Sequence, residues 1–177
     1  MVIAKTLIKN HAQRGESPSE ILYKVNDQLC AGNEAEMFVT VWLVILELSI
    51  GKGVAANVGH EHLVICCKDG RFELMVYRHA PVVAALEGVC FREHEFEFNT
   101  GDRLYVYTDG VPKAMNLQNE LFGTEHMVAA LNRDPNAGPE ALLRTVRDEI
   151  DAFVGDTPQF DDISMLGLYY RGRENKA

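Results

Sequence analysis

Two short acidic turns in the second half of the sequence carry the residues best suited to chemistry. One reads Tyr107-Thr108-Asp109-Gly110-Val111 and the other Gln159-Phe160-Asp161-Asp162-Ile163. Each places an aspartate at one end of an apolar strand pattern, so antiparallel pairing of the two strands would bring the carboxylates together. Converging carboxylates repel one another unless a cation lies between them. Because the candidate ligands are oxygens and no His/Cys cluster has ligand spacing, Mg²⁺ or Mn²⁺ is favoured over Zn²⁺.

Each of these motifs also has a purely structural interpretation. Asp-Gly is a common turn, and an Asp pair before a strand can serve as a cap, so either motif alone is weak evidence for a metal site. The segment Asn57-Val58-Gly59-His60 ends another strand pattern. It is interpreted either as an active-site rim loop, with Asn57, Gly59 and His60 binding substrate, or equally as a turn stabilised by Asn57.

Composition and charge exclude several classes of protein. The chain has 177 residues, 47% of them apolar, which is enough for the core of one domain. Its formal charge is −9 and it has no Lys/Arg-rich run, so a nucleic-acid partner is not expected. The longest apolar run, residues 39–48, falls short of the about 20 residues of a membrane helix. The first residues lack the regions of a signal peptide, which predicts a cytoplasmic protein.

Apolar periodicity divides the chain into helices and strands. Ser17, Pro18 and Glu20 form a capping-box pattern at the start of one helix. The β-branched and aromatic run at 38–46 predicts a central strand, and the turn at 99–102 predicts a hairpin of an antiparallel meander. Helices are expected at about residues 1–13, 17–32, 124–132 and 139–154, and a last strand at 162–170. This content is typical of an α+β fold.

Five short motifs in order resemble one family. They are Met37-Phe38-Val39-Thr40, Asn57-Val58-Gly59-His60, Tyr107-Thr108-Asp109-Gly110-Val111, Leu121-Phe122-Gly123 and Phe160-Asp161-Asp162-Ile163-Ser164-Met165. From residue 1 to about 170, the chain resembles the SpoIIE-like branch of the metal-dependent (type 2C) serine/threonine phosphatases. The resemblance implies an α+β fold, an antiparallel β-sandwich flanked by helices. It also implies a two-metal Mn²⁺/Mg²⁺ centre that activates water for in-line attack on phosphoserine or phosphothreonine.

The resemblance assigns roles to individual residues. It implies that Asp109 and Asp161 are metal ligands with a catalytic role, and that their neighbour Asp162 orients water or a ligand. Lys113 departs from the pattern, because the branch often has Glu at this position. The family's first metal motif lies upstream of the helix that residues 1–12 resemble. The expectation is therefore a phosphatase domain at 1–170 without its first strands and first metal motif, followed by a disordered tail at 171–177.

The function implied by the resemblance is that of a protein phosphatase in a bacterial signalling pathway. Its expected substrate is a phosphorylated regulatory protein of the anti-sigma factor antagonist type, and the fragment alone is expected to be weakly active or inactive, with its metal centre empty. Exposed sheet edges predict a homodimer or an exchange of elements between copies. The alternative from another class is a non-catalytic, phosphatase-like binding or regulatory module. A hydrolase acting on a small phosphoester would use the same acids.

Overall fold

A computed structural model describes residues 2–34, 36–67, 70–78, 80–159 and 161–172. The predicted disordered tail lies outside these residues except for Arg171 and Gly172. The helices of the described residues are α1 (Val2–Ala12), α2 (Pro18–Cys30), α3 (Gly123–Leu131) and α4 (Pro139–Val154). Their strands are β1 (Val41–Glu47), β2 (Lys52–Val58), β3 (Leu63–Cys66), β4 (Phe72–Met75), β5 (His94–Glu97), β6 (Arg103–Tyr107) and β7 (Met165–Tyr169). Within this part of the chain, no helix combines the length and apolarity needed to cross a membrane.

The chain forms two compact units, each with its own sheet and core. Unit 1 comprises Met1–His60 and Arg78–Phe98, and unit 2 comprises Glu61–Tyr77 and Asn99–Ala177. Unit 1 contains α1, α2 and an antiparallel sheet of order β1-β2-β5. Unit 2 contains α3, α4 and an antiparallel sheet of order β4-β3-β6-β7. Antiparallel sheets combined with helices confirm the predicted α+β class.

The start of α2 follows from its sequence. The Ser17 hydroxyl accepts a hydrogen bond from the Glu20 N–H (3.4 Å), and the Ser17 N–H donates to Glu20 Oε2 (3.0 Å). The capping box is therefore confirmed, and it satisfies two backbone donors that the helix itself leaves without partners. Ile21, Leu22 and Val25 are fully buried along the apolar stripe of this helix.

The prediction of a central strand at 38–46 is wrong. The strand begins at Val41 and lies at the edge of its sheet, where β2 is its neighbour among the described strands. The central strand is β2, whose sequence Lys-Gly-Val-Ala-Ala-Asn-Val is less apolar. An apolar run predicts that the side chains of a strand are buried. It does not predict whether the strand has a hydrogen-bonded neighbour on one side or on both. Small residues in β2 leave room for side chains of the neighbouring strands. For example, the Phe96 ring of β5 occupies the space above Gly53.

The predicted hairpin around residues 99–102 is also wrong. The turn itself forms, because the Asn99 N–H donates to Asp102 Oδ2 (2.7 Å) and the Asp102 N–H donates to the Asn99 carbonyl (3.0 Å). However, β5 before the turn pairs with β2, and β6 after it pairs with β3 and β7. Turn residues reverse the chain locally, whereas strand partners are selected by side-chain packing far away in sequence.

The core of unit 2 surrounds the strand that leads to the first acidic turn. Tyr105 and Tyr107 on β6 are fully buried and stacked on each other with ring centroids 5.8 Å apart. Around them pack buried residues from β3, β4, α3 and α4, including Val64, Phe72, Met127 and Val146. The end of β6 is therefore held rigidly, and the turn at 108–111 starts from a fixed position.

Candidate metal centre

Pairing of β6 with β7 brings the two acidic turns together. The register places Tyr107 opposite Met165, and beyond it the Thr108 N–H donates to the Ser164 carbonyl (3.0 Å). The Thr108 hydroxyl accepts from the Ser164 N–H (2.9 Å) and donates to the Asp162 carbonyl (3.0 Å). One side chain thus connects the exit of β6 to the loop that carries Asp161 and Asp162. The predicted convergence of the strand ends that bear Asp109 and Asp161 is present.

Gly110 allows the two turns to approach closely. A Cβ atom at this buried position would lie 2.9 Å from the Asp162 carbonyl carbon and would overlap its oxygen. The atoms in contact belong to the backbone, so they cannot rotate away as a side chain can. Glycine at this position is therefore a requirement of the close packing between the turns.

Asp109 is paired with a cation. Lys113 Nζ donates to Asp109 Oδ2 at 2.6 Å, and the two side chains are 53% and 43% exposed. This hydrogen bond and the nearby positive charge hold the pKa of the Asp109 carboxyl below its ordinary value, despite partial desolvation. The same bond raises the pKa of Lys113, and the charges of Asp161 and Glu61 raise it further. The carboxylate and the ammonium are therefore both charged at neutral pH.

Asp161 and Asp162 lie side by side on the exposed face of their loop. Asp161 Oδ1 accepts a hydrogen bond from the Asp162 N–H (2.7 Å), which fixes the orientation of its carboxylate. Gln159 Nε2 donates to the Asp161 carbonyl (2.7 Å) and stabilises the loop on its other side. Phe160, part of the predicted motif, lies outside the described residues.

A cavity of about 300 Å³ lies beside the acidic turns within unit 2. Gly110, Lys113 and Asp161 line one side of it, and Arg147 and Asp151 of α4 line another. Arg147 Nε donates to Asp151 at 3.0 Å, so this guanidinium already has an acidic partner. The volume is in the range of small-ligand pockets, which gives the acidic turns an adjoining concave surface.

The predicted substrate-binding residues Asn57, Gly59 and His60 belong to unit 1. Asn57 is buried at the end of β2, and its Oδ1 accepts a hydrogen bond from the His60 N–H (3.0 Å). Gly59 has a positive φ of 68°, and its N–H donates to the Ala80 carbonyl (2.9 Å). The Asn-stabilised turn is present, and the role of these residues in substrate binding stays a prediction.

The candidate metal ligands are chemically suited to a hard divalent cation, but they are few. Asp109 and Asp161 provide carboxylate oxygens, which Mg²⁺ and Mn²⁺ prefer. Among the residues that the structure describes, no group of three or more His, Cys, Asp or Glu is arranged to hold a metal ion. Mg²⁺ often uses one or two protein carboxylates together with waters and substrate phosphates, so a set of two aspartates is compatible with this ion.

Sequence reasoning missed two residues of this site. The motif that contains Thr108 gives this residue no role, although its hydroxyl connects the two turns. Glu61 belongs to none of the motifs, and it lies within electrostatic reach of Lys113. A hydroxyl residue directly before an acid at a strand exit is a signal that could have identified Thr108. Glu61 comes from a distant part of the chain, and no local pattern indicates it.

Comparison with known proteins finds relatives of this chain by sequence. A family model described as Stage II sporulation protein E (SpoIIE) matches residues 1–171. Protein IcfG of Synechocystis sp. (strain ATCC 27184 / PCC 6803 / Kazusa) is 28% identical over 133 residues, which are 75% of this chain and 21% of IcfG. The chain therefore spans about a fifth of the length of this curated relative.

Solved structures share the fold. The SiaA-PP2C domain of Pseudomonas aeruginosa superposes with a TM-score of 0.77 at 20% identity, covering 96% of this chain and 68% of that one. RsbX in complex with magnesium superposes with a TM-score of 0.62 at 14% identity, covering 93% and 69%. The family model spans nearly the whole chain, and the fold is that of PP2C phosphatase domains. The chain belongs to the SpoIIE family.

Proposed function

We propose that the chain is a metal-dependent phosphatase domain that hydrolyses phosphoserine or phosphothreonine on a regulatory protein of a bacterial signalling pathway. The observation that carries the proposal is the linkage of the two acidic turns through Thr108 at the paired ends of β6 and β7. Membership of a phosphatase family makes this linked pair the natural metal site. Asp109 and Asp161 would hold Mn²⁺ or Mg²⁺, and the magnesium bound to RsbX supports an ion of this kind.

The residues of the site would contribute in distinct ways. A bound divalent ion supplies Lewis acidity and offsets charge on the phosphoryl oxygens. Asp109 and Asp161 supply the negative oxygens that bind such an ion, and Thr108 and Gly110 keep their two turns in contact. Asp162, exposed next to Asp161, is placed to orient water or a ligand. We also propose that Asn57, Gly59 and His60 bind substrate.

The partner is proposed from the family resemblance. We propose a phosphorylated protein of the anti-sigma factor antagonist type in the cytoplasm, and no nucleic acid. The formal charge of −9 supports the second point, because a phosphate backbone would be repelled by an acidic surface.

Phosphate release tests the proposed activity directly. The purified chain is incubated with a phosphoserine protein and, separately, with p-nitrophenyl phosphate, in Mn²⁺, in Mg²⁺ or in excess EDTA. We expect weak hydrolysis of the phosphoprotein that requires Mn²⁺ or Mg²⁺ and stops with EDTA, because a bound metal ion would lower the pKa of the attacking water and offset charge on the phosphoryl oxygens. Turnover that persists in EDTA would contradict the metal-dependent mechanism. Faster turnover of the small ester than of the phosphoprotein would indicate a small-molecule hydrolase.

A second candidate function is a non-catalytic, phosphatase-like binding module. The observation that favours it is the pairing of Asp109 with Lys113, which supplies the acidic turn with a cation from the protein itself. In this case the chain would bind a partner protein tightly without taking up metal. Isothermal titration calorimetry separates the two functions. Partner binding that is unchanged by EDTA, together with no heat of Mn²⁺ binding, would support the module.

We propose that two copies pair through β1. This strand lies at the edge of its sheet, and the six residues Val41–Leu46 carry no charge and no proline that would protect the edge. Its side chains include Ile45, which is 43% exposed, and Leu48 and Ile50 next to the strand are also exposed. Antiparallel addition of a second β1 would satisfy the edge amides and cover these side chains.

Replacing Ile45 with Lys is expected to dissociate this dimer, because a charge on an edge strand disfavours pairing with another copy. Sedimentation velocity should give a wild-type mass twice that of the 19.8 kDa chain, and a monomer for the variant. Leu117→Lys, which introduces the same charge at an exposed apolar position in unit 2, is the control and should remain dimeric. A wild-type chain that stays monomeric at high concentration would refute pairing through β1.

A further inference from the structure

Lys113 approaches Asp109 because of the turn that follows β6. The Lys113 N–H donates to the Asp109 carbonyl (3.0 Å), and the Val111 N–H donates to the Thr108 carbonyl (3.0 Å). This helical spacing places residues four apart on the same side of the turn. The Lys113 side chain then reaches Asp109 Oδ2 at 2.6 Å.

Lys113 occupies a central position among the acids of the site. Its charge is within electrostatic reach of Asp161 and Glu61 as well as Asp109. It lines the same cavity as Asp161, where Arg147 is already paired with Asp151. The ammonium of Lys113 therefore offsets negative charge among these carboxylates, and it does so while bonded to Asp109 Oδ2, an oxygen that the proposed metal ion would also use.

A divalent ion and the ammonium cannot both bind Asp109 without repulsion. Mg²⁺ lies about 2.1 Å from its ligand oxygens, so an ion on Asp109 Oδ2 would be within about 5 Å of the Lys113 nitrogen. Few water molecules would fit between the two cations to screen them. The lysine stem is flexible and its side chain is half exposed, so the ammonium can move into solvent when an ion arrives.

We propose that Lys113 is a built-in counter-ion that competes with the divalent metal for Asp109, so that metal binding requires its displacement. The inference rests on the proposed metal-dependent function and adds a mechanism that regulates metal binding at the same site. The metal affinity of the wild-type chain is then set below what its carboxylates could provide. Occupancy would depend on the cellular concentration of the divalent ion, and a partner that draws Lys113 away would promote metal loading.

Direct measurement of Mn²⁺ binding tests this competition. Free Mn²⁺ is quantified by electron paramagnetic resonance during titration of the wild-type chain and of Lys113→Met, without any substrate. We expect the variant to bind Mn²⁺ about 10-fold more tightly, a change typical of residues that adjust metal ligands. Lys113→Gln, which is polar and similar in length, should show the same gain, and it replaces the Met variant if that protein does not fold. The matched control is Lys24→Met, which removes a lysine paired with Glu16 at 2.9 Å in unit 1 and should leave the affinity unchanged.

The outcomes separate this inference from the proposed function. A selective gain for the Lys113 variants supports competition. Equal Mn²⁺ affinity in wild type and Lys113 variants, with weaker binding by Asp109→Asn, overturns competition and leaves the metal-dependent function standing. No Mn²⁺ binding by any of these proteins overturns both. An equal gain for Lys24→Met would show that net charge alone is responsible, and this also overturns the specific role of Lys113.

Discussion

Replacing Asp109 with Asn is expected to reduce metal-dependent phosphate release by on the order of 100-fold or more. Even the replacement of a residue that only contacts a metal ligand typically lowers metal affinity or activity by about 10- to 100-fold. Asn has nearly the same shape as Asp but lacks its charge, so it is a much weaker ligand for a hard cation. The variant should also bind Mn²⁺ more weakly, since half of the linked carboxylate pair is lost. Initial rates of phosphoprotein hydrolysis at several Mn²⁺ concentrations measure both effects.

The control for this variant is Asp148→Asn, which removes the same charge from an exposed position on α4. Its rate and Mn²⁺ affinity should match those of the wild type. Circular dichroism establishes that Asp109→Asn is folded. A folded Asp109→Asn protein that retains its full rate would show that Asp109 is not a ligand, and the proposed site would have to be abandoned.

Replacing Gly110 with Ala is expected to destabilise unit 2 by about 1–3 kcal/mol, the usual cost of adding an atom to a well-packed region. The new Cβ would overlap the Asp162 carbonyl, so one of the two acidic turns has to move. The φ of Gly110 is not in the left-handed region, so the effect comes from the contact and not from backbone strain. The same displacement should weaken Mn²⁺ binding, because Asp109 and Asp161 no longer keep their spacing.

Urea unfolding of Gly110→Ala measures the loss of stability, and Mn²⁺ titration measures the loss of affinity. Gly32→Ala is a matched control, because a Cβ at Gly32 has no atom within 4 Å and its φ is not in the left-handed region. This control should unfold at nearly the wild-type urea concentration. If Gly110→Ala were as stable as Gly32→Ala, the turns would not be in contact through the Gly110 backbone.

Local features of the fold could be predicted from sequence because their causes are local. The capping box at Ser17 and Glu20 depends on residues three positions apart, and the structure confirms it. The positions of the acidic turns follow from strand patterns that end at Tyr107 and begin again near Met165. Antiparallel pairing of these two strands then makes the approach of the turns a geometric consequence.

Features that depend on distant partners were predicted less well. The apolar content of β1 indicated burial but gave no information about its edge position. The turn at 99–102 was correct as a turn and wrong as a hairpin, because β5 and β6 each find partners elsewhere in the chain. The direction of Lys113 was open from sequence alone, since a lysine after a turn can point either to solvent or back to the acid. Its contact with Asp109 required the conformation of the turn.

The division into two units has a consequence for dissecting the protein. The chain crosses from one unit to the other three times, after His60, after Tyr77 and after Phe98. A fragment that begins at residue 99 would contain both acidic turns but would lack β3, and with it the backbone partner of β6 on the side away from β7. Truncation at a single boundary therefore cannot isolate the two acidic turns together with their complete sheet. Residues 61–77 would have to be grafted back, for example by circular permutation, to obtain a self-contained half.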